Sequence, residues 1–170
     1  MREEDSLLQQ YDVEYQGENA YSFKTINEII YLVKFRPTPY LFGEDSIFAP
    51  YCFELLIEVA ENLSGKSPVF DTKVSKTVAS IFEEFYVNSD QNITIYICES
   101  ADKRQNARRT KFNRWFDYFA PINYSKYDDY FKDSSGEIYP VSLILKDTNP
   151  NRATIISEFI SIISGYNVGK

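Results

Sequence analysis

The chain has 170 residues, 44% of them hydrophobic and 16% aromatic, which is enough apolar material for one domain with a core and too much for a disordered chain. Its net charge of −7 and isoelectric point of about 4.7 are opposite to the usual footprint of a nucleic-acid-binding domain. It has no histidine, so Ser-His-Asp and Cys-His nucleophile arrangements and any zinc site that needs imidazole are excluded. Carboxylate, lysine, tyrosine and Mg²⁺-dependent chemistry stay open.

The first residues, MREEDSLLQQ, are acidic and polar, and lack the make-up of a secretory signal or a transit peptide. The longest apolar runs, such as Ile93–Cys98, are far too short to span a bilayer. The chain therefore reads as cytoplasmic, with residues 1–19 an N-terminal extension and 20–165 a single domain. Cys52 and Cys98 lie in apolar, strand-like segments and read as buried free thiols of a reducing compartment.

In Tyr21–Thr25, Tyr21, Phe23 and Thr25 alternate with polar residues, the period of a half-buried strand. After a short turn, Ile29, Tyr31, Val33 and Phe35 share one face of a second strand, so the two form a hairpin. Residues 36–50 hold three prolines and read as loop, with room for a short edge strand at Tyr40–Phe42. Tyr51–Ala60 alternates again, Phe53, Leu55, Ile57 and Val59 against Glu54 and Glu58, although its Glu and Leu content also allows a helix. Asp71 is placed to cap a helix from Thr72 to about Val87 whose apolar stripe is Val74, Val78, Ile81, Phe82 and Phe85.

Ile93–Cys98 is β-rich and apolar on both faces, which places it centrally in a sheet. Ser100 is positioned to cap a helix over Ala101–Phe119, ended by Pro121. The Tyr- and Asp-rich stretch after it reads as loop, with a turn at Ser134-Ser135-Gly136, and Ile138–Lys146 as the last strand. Asn149-Pro150 opens a final helix with Ile155, Ile156, Phe159, Ile160 and Ile163 on one face, closed by Gly165. The fold class is α+β: an N-terminal antiparallel β-meander followed by α-β-α-β-α, one sheet with the helices packed mainly on one face.

Residues 103–114, KRQNARRTKFNR, hold six of the eighteen basic residues and no acidic one. On a helical wheel Phe112, Trp115, Phe116 and Phe119 form the core face, and Arg108 continues that face toward the helix start. Lys103 and Arg114 sit opposite, Arg104 and Arg109 flank the apolar stripe, and Lys111 lies just beyond Arg104. An inward guanidinium needs a partner, because an unpaired buried charge costs several kcal/mol, to order of magnitude. Glu99, Asp71 or a carboxylate of the meander would serve. The functional alternative is an anion or partner site of Arg104, Arg108, Arg109 and Lys111, since the arginine fork suits bidentate phosphate and carboxylate recognition. No glycine-rich phosphate loop precedes this helix. Residues 1–61 carry twelve acidic and four basic residues and would also complement it electrostatically.

The block D71-x-K-V-x-x-T-V-x-x-I-F-x-x-F, then ITIYICES, then R108-R109-x-K-F-x-x-W-F, resembles a family of small bacterial proteins found mainly in Bacteroidetes and known only as a domain of unknown function. The YSF and late NP segments agree with it. The resemblance implies a bacterial cytoplasmic setting and carries over no catalytic residue. Taken together, these features give first place to a non-enzymatic domain that binds a protein partner or forms a homo-oligomer. Second comes a binder of RNA or another phosphate-bearing ligand through the basic helix, and third a histidine-free enzyme. No cofactor, metal site or membrane association is expected.

Overall fold

The computed structural model describes residues 10–66, 71–98, 105–119 and 123–168. Its elements are β1 (Val13–Gly17), β2 (Ala20–Lys24), β3 (Ile29–Pro37), β4 (Cys52–Asn62), α1 (Thr72–Val87), β5 (Ile93–Ile97), α2 (Gln105–Phe119), β6 (Tyr124–Lys132), β7 (Ile138–Lys146) and α3 (Arg152–Val168). The strands make one mixed sheet in the order β1-β2-β3-β4-β5-β7-β6. Every neighbouring pair is antiparallel except β4 and β5, which run parallel over Cys52–Glu54 and Ile93–Ile95. A parallel pair needs a crossover, and α1 supplies it. The architecture is α+β.

Two layers of core lie on the two faces of the sheet. On one face Tyr21, Phe23, Tyr31, Val33, Phe35 and Leu55 meet Val78, Ile81, Phe82 and Phe85 of α1 and Phe112, Trp115 and Phe116 of α2. On the other, Cys52, Ile93, Ile95, Val141, Leu143 and Leu145 meet Ile155, Phe159 and Ile163 of α3, with Phe48 of the long 38–51 connection sealing one end. Ile29, Tyr31, Val33 and Phe35 of β3 are therefore buried as a row, as the alternation in the sequence requires. Phe35 stacks on Phe85 with ring centroids 3.8 Å apart and meets the edge of Phe82 at 5.4 Å, so α1 is seated on β3 by rings. Cys52 and Cys98 belong to opposite core layers and are free thiols.

Four sequence expectations change. Residues 124–132, read as loop, form strand β6, because their charges find local partners: Lys126 bonds Asp128 at 2.5 Å, and Ser142 donates to the same carboxylate at 2.6 Å. The other face of β6 places Tyr127 against Phe159 and Phe131 against Tyr166 of α3. A strand β1 precedes Tyr21, and Tyr11 just before it is buried against Phe23. Pro39–Leu41 is a single 3₁₀ turn rather than an edge strand, with Pro39 at its first position, where the ring's fixed φ suits the turn. Gly165 does not end α3, which continues to Val168. That last turn matters. Asn167 accepts a bond from the Lys132 amide at 2.9 Å and donates to the Tyr130 carbonyl at 3.0 Å, occupying the outer edge of β6 as a further strand would.

The cap at Asp71 is present: its carboxylate accepts from the Lys73 amide at 2.8 Å and from Tyr11 Oη at 2.5 Å. Asp71→Ala removes both bonds and should cost about 1–2 kcal/mol in urea unfolding. Tyr86 Oη lies wholly buried, 2.6 Å from Thr94 Oγ1 and donating to the Ile144 carbonyl at 3.0 Å, so one hydroxyl ties α1 to β5 and β7. Tyr86→Phe should cost about 1–3 kcal/mol by the same measurement, because Thr94 and Ile144 are left short of a partner.

Candidate functional site

Arg108, Lys111 and Trp115 follow one another at i, i+3 and i+7 along α2, so they share one helix face. That face looks across a gap onto the carboxyl-terminal half of β4, which runs past its last pair with β5 at Glu54. The gap is a cavity of about 560 Å³, lined by Arg108, Lys111 and Trp115 from α2, Tyr31 from β3, Ile57 and Val59 from β4, and Tyr96 from β5, among others. A β-bulge shapes its wall. Tyr31 pairs with Val59 and Ile30 with Glu61, so Ala60 is the extra residue of β4, and Val59 and Asn62 both come to the cavity side.

The site lies beside the carboxyl end of β5, where the chain leaves the parallel pair for the next helix. Open sheets with crossover helices bind ligands at such strand ends. Its walls are mixed. Ile57 and Val59 are apolar, and the three rings are nearly covered, with Tyr31 3%, Tyr96 8% and Trp115 4% exposed. Tyr96 is stacked on Phe112 and Tyr31 on Phe23, and the Lys111 ammonium lies 5.0 Å from the Trp115 ring centroid and 5.6 Å from that of Tyr31. Burial holds the Lys111 pKa below the ordinary lysine value.

Lys126 makes a useful contrast. It is also largely buried, with its ammonium 5.8 Å from the Phe116 ring centroid, but it is paired with Asp128. Burial alone would raise the Asp128 carboxyl, yet bonds from Lys126 and Ser142 hold it below the usual carboxylate range. Lys111 makes no such ion pair among the described residues, although Glu58 of β4 lines the same cavity. Its cationic head lies over the rings of Tyr31 and Trp115.

Of the four residues singled out from sequence, the structure brings Arg108 and Lys111 together at the cavity. Arg108 is half-buried, as an inward position on the wheel requires. Arg109 is exposed, and its charge acts on Cys98 and Asp128. Arg104, with Glu99 and Ser100, lies outside the described residues. Burial pushes the Cys98 thiol up to about 11, against the pull of Tyr96, Arg108, Arg109 and Lys126, so this cysteine is protonated and inert at neutral pH. Tyr31, Tyr96 and Trp115 were legible as core residues but not as walls. The signal for Trp115 was its spacing from Arg108 and Lys111; nothing local marks Tyr31. Among the described residues no group of acidic or cysteine side chains could hold a metal ion, and no helix is long and apolar enough to cross a membrane.

An α+β domain with a cationic, ring-lined cavity at the end of its parallel strand pair is thus the class that fold and site define. The chain matches the family of unknown function DUF6169 over residues 70–161, from the cap of α1 to the middle of α3, and belongs to that family. No curated protein and no solved structure matches it.

The desolvated ammonium gives a signed expectation. Because the folded-state pKa of Lys111 is lowered, its penalty is fully present below that pKa and is relieved as pH rises toward the ordinary lysine value of about 10.4. Lys111→Met should therefore raise the melting temperature at pH 7 by a few degrees, on a scale of about 2–4 °C per kcal/mol for a chain of this size. The difference between the two proteins should shrink as the pH approaches 10.

Proposed function

We propose that this domain is a small-molecule-binding module that takes an anionic ligand, phosphate- or carboxylate-bearing, into the cavity between α2 and β3–β4. The carrying observation is Lys111, kept half-buried over two rings with no carboxylate partner among the described residues, in a cavity that also receives Arg108. A desolvated cation that the fold does not neutralise is completed by a ligand anion. Arg108 adds a planar fork and Lys111 a mobile point charge, the two complementary ways of holding such a group. A concave site of this volume, mostly apolar with a few polar groups, suits a small ligand.

The same geometry lowers the weight of the protein-partner and RNA readings. Asn167 occupies the edge of β6, and the open edge at β1 carries Asp12, Glu14 and Glu18, which would oppose each other in a self-paired dimer. Along α2, Arg109 and Arg114 face away from the cavity, so the basic residues do not form one track for a phosphate backbone. The reading keeps a bacterial, cytoplasmic setting, supported by the family resemblance and by two buried free thiols.

The test is a thermal-shift screen of the full chain with inorganic phosphate, nucleoside monophosphates and simple carboxylates, followed by calorimetry on any hit. Arg108→Gln and Lys111→Met should each weaken binding at least about tenfold, or about 1.4 kcal/mol, while both variants melt no lower than about 3 °C below wild type. Equal binding by wild type and both variants would place the ligand elsewhere, and the absence of any shift across the panel would refute the proposal.

A further inference from the structure

We infer that the ligand is a planar aromatic anion, and that Lys111 is a swinging cover which leaves the faces of Tyr31 and Trp115 when that anion arrives. This rests on the anion-site reading above and goes one step beyond it. Three of the cavity's walls are rings, and all three are nearly covered: Tyr96 stacks on Phe112 at 4.1 Å and Tyr31 on Phe23 at 5.3 Å, while Lys111 lies over the cavity-side faces of Tyr31 and Trp115. The Lys111 ammonium sits within 6 Å of both ring centroids, which is the range of a cation–π contact. Such a contact is a weak hold beside a charge-assisted bond to a carboxylate or phosphate oxygen. The lysine stem is long and freely rotatable, so the ammonium can exchange rings for an anion without moving the backbone.

Once it does, two π faces stand open toward the space that it filled. A saturated group would gain only apolar contact there. A flat aromatic group would also gain stacked or edge-to-face contacts with Tyr31 and Trp115, replacing what the cation gave up. The axis of the site is set by α2. Arg108 and Lys111 lie toward the helix start, and Trp115 lies further along. Arg108 and Trp115 are seven residues apart, about 10 Å at a rise of about 1.5 Å per residue. This fits one or two rings bearing a single anionic group at one end, with Ile57 and Val59 along its flank.

The chain contains one tryptophan, so Trp115 reports on its own site. The experiment titrates the full chain with trans-cinnamate, with its saturated counterpart 3-cyclohexylpropanoate, and with inorganic phosphate, by calorimetry and by Trp115 emission. The expected result is that cinnamate binds at least about tenfold more tightly than the cyclohexyl acid and changes Trp115 emission, and that Lys111→Met abolishes both effects while Lys111→Arg restores binding. Equal or tighter binding of the cyclohexyl acid would overturn the aromatic class and leave the anion site standing. Cinnamate binding unchanged in Lys111→Met would overturn the role of Lys111. If none of the three anions binds, both this inference and the anion site fall.

Discussion

The parallel pairing of β4 with β5 is the constraint on which the rest of this structure depends. It spans only Cys52–Glu54 and Ile93–Ile95, but a parallel pair cannot be joined by a tight turn. The chain must cross over the sheet, and α1 is that crossing. Its apolar stripe fixes which face it covers, and Phe82 and Phe85 fix where, by packing on Phe35. β5 ends at Ile97 while β4 continues to Asn62, and α2 follows after the carboxyl end of β5. The cavity is the space left between α2 and the part of β4 that outruns β5.

Charge is handled differently on the two sides of α2. On the β6 side, Lys126 is paired with Asp128, whose carboxylate also accepts from Ser142. On the β4 side, Lys111 is desolvated against rings, and Arg108 shares its cavity. Paired buried charges serve architecture and do little for net stability. A desolvated charge left to aromatic faces carries a standing penalty, and proteins carry such penalties where a ligand is bound. The two lysines, Lys126 on β6 and Lys111 on α2, are both partly buried, and only Lys126 has a carboxylate partner among the described residues.

The sheet has two free edges, and neither favours pairing between copies. Asn167, from the last turn of α3, bonds the Tyr130 carbonyl and the Lys132 amide and so ends β6. β1 is short, bulged at its turn and flanked by acidic residues. These are the usual means of keeping strand edges from associating.

Much of the fold was legible in the sequence because its signals are local. The alternation of Ile29, Tyr31, Val33 and Phe35, the stripe of α1, the Asp71 cap and the inward position of Arg108 each follow from period and residue type alone. Strand β6 was not legible, because its alternation is masked by aspartates and lysines that are neutral to the fold only once Lys126, Asp128 and Ser142 meet. Gly165 misled for a similar reason: a helix-ending residue was overridden by packing of α3 against β6 and by the Asn167 contacts beyond it. Local period and residue type alone determined most element types and the basic helix, while β6 and the second core layer under α3 came only with the tertiary structure. Only the tertiary structure decided that Arg108 and Lys111 share a cavity while Arg109 does not, and that Tyr31 and Tyr96 wall it. Those residues lie on three separate strands and helices, and no local period relates them. What brings them together is the crossover geometry of one parallel strand pair.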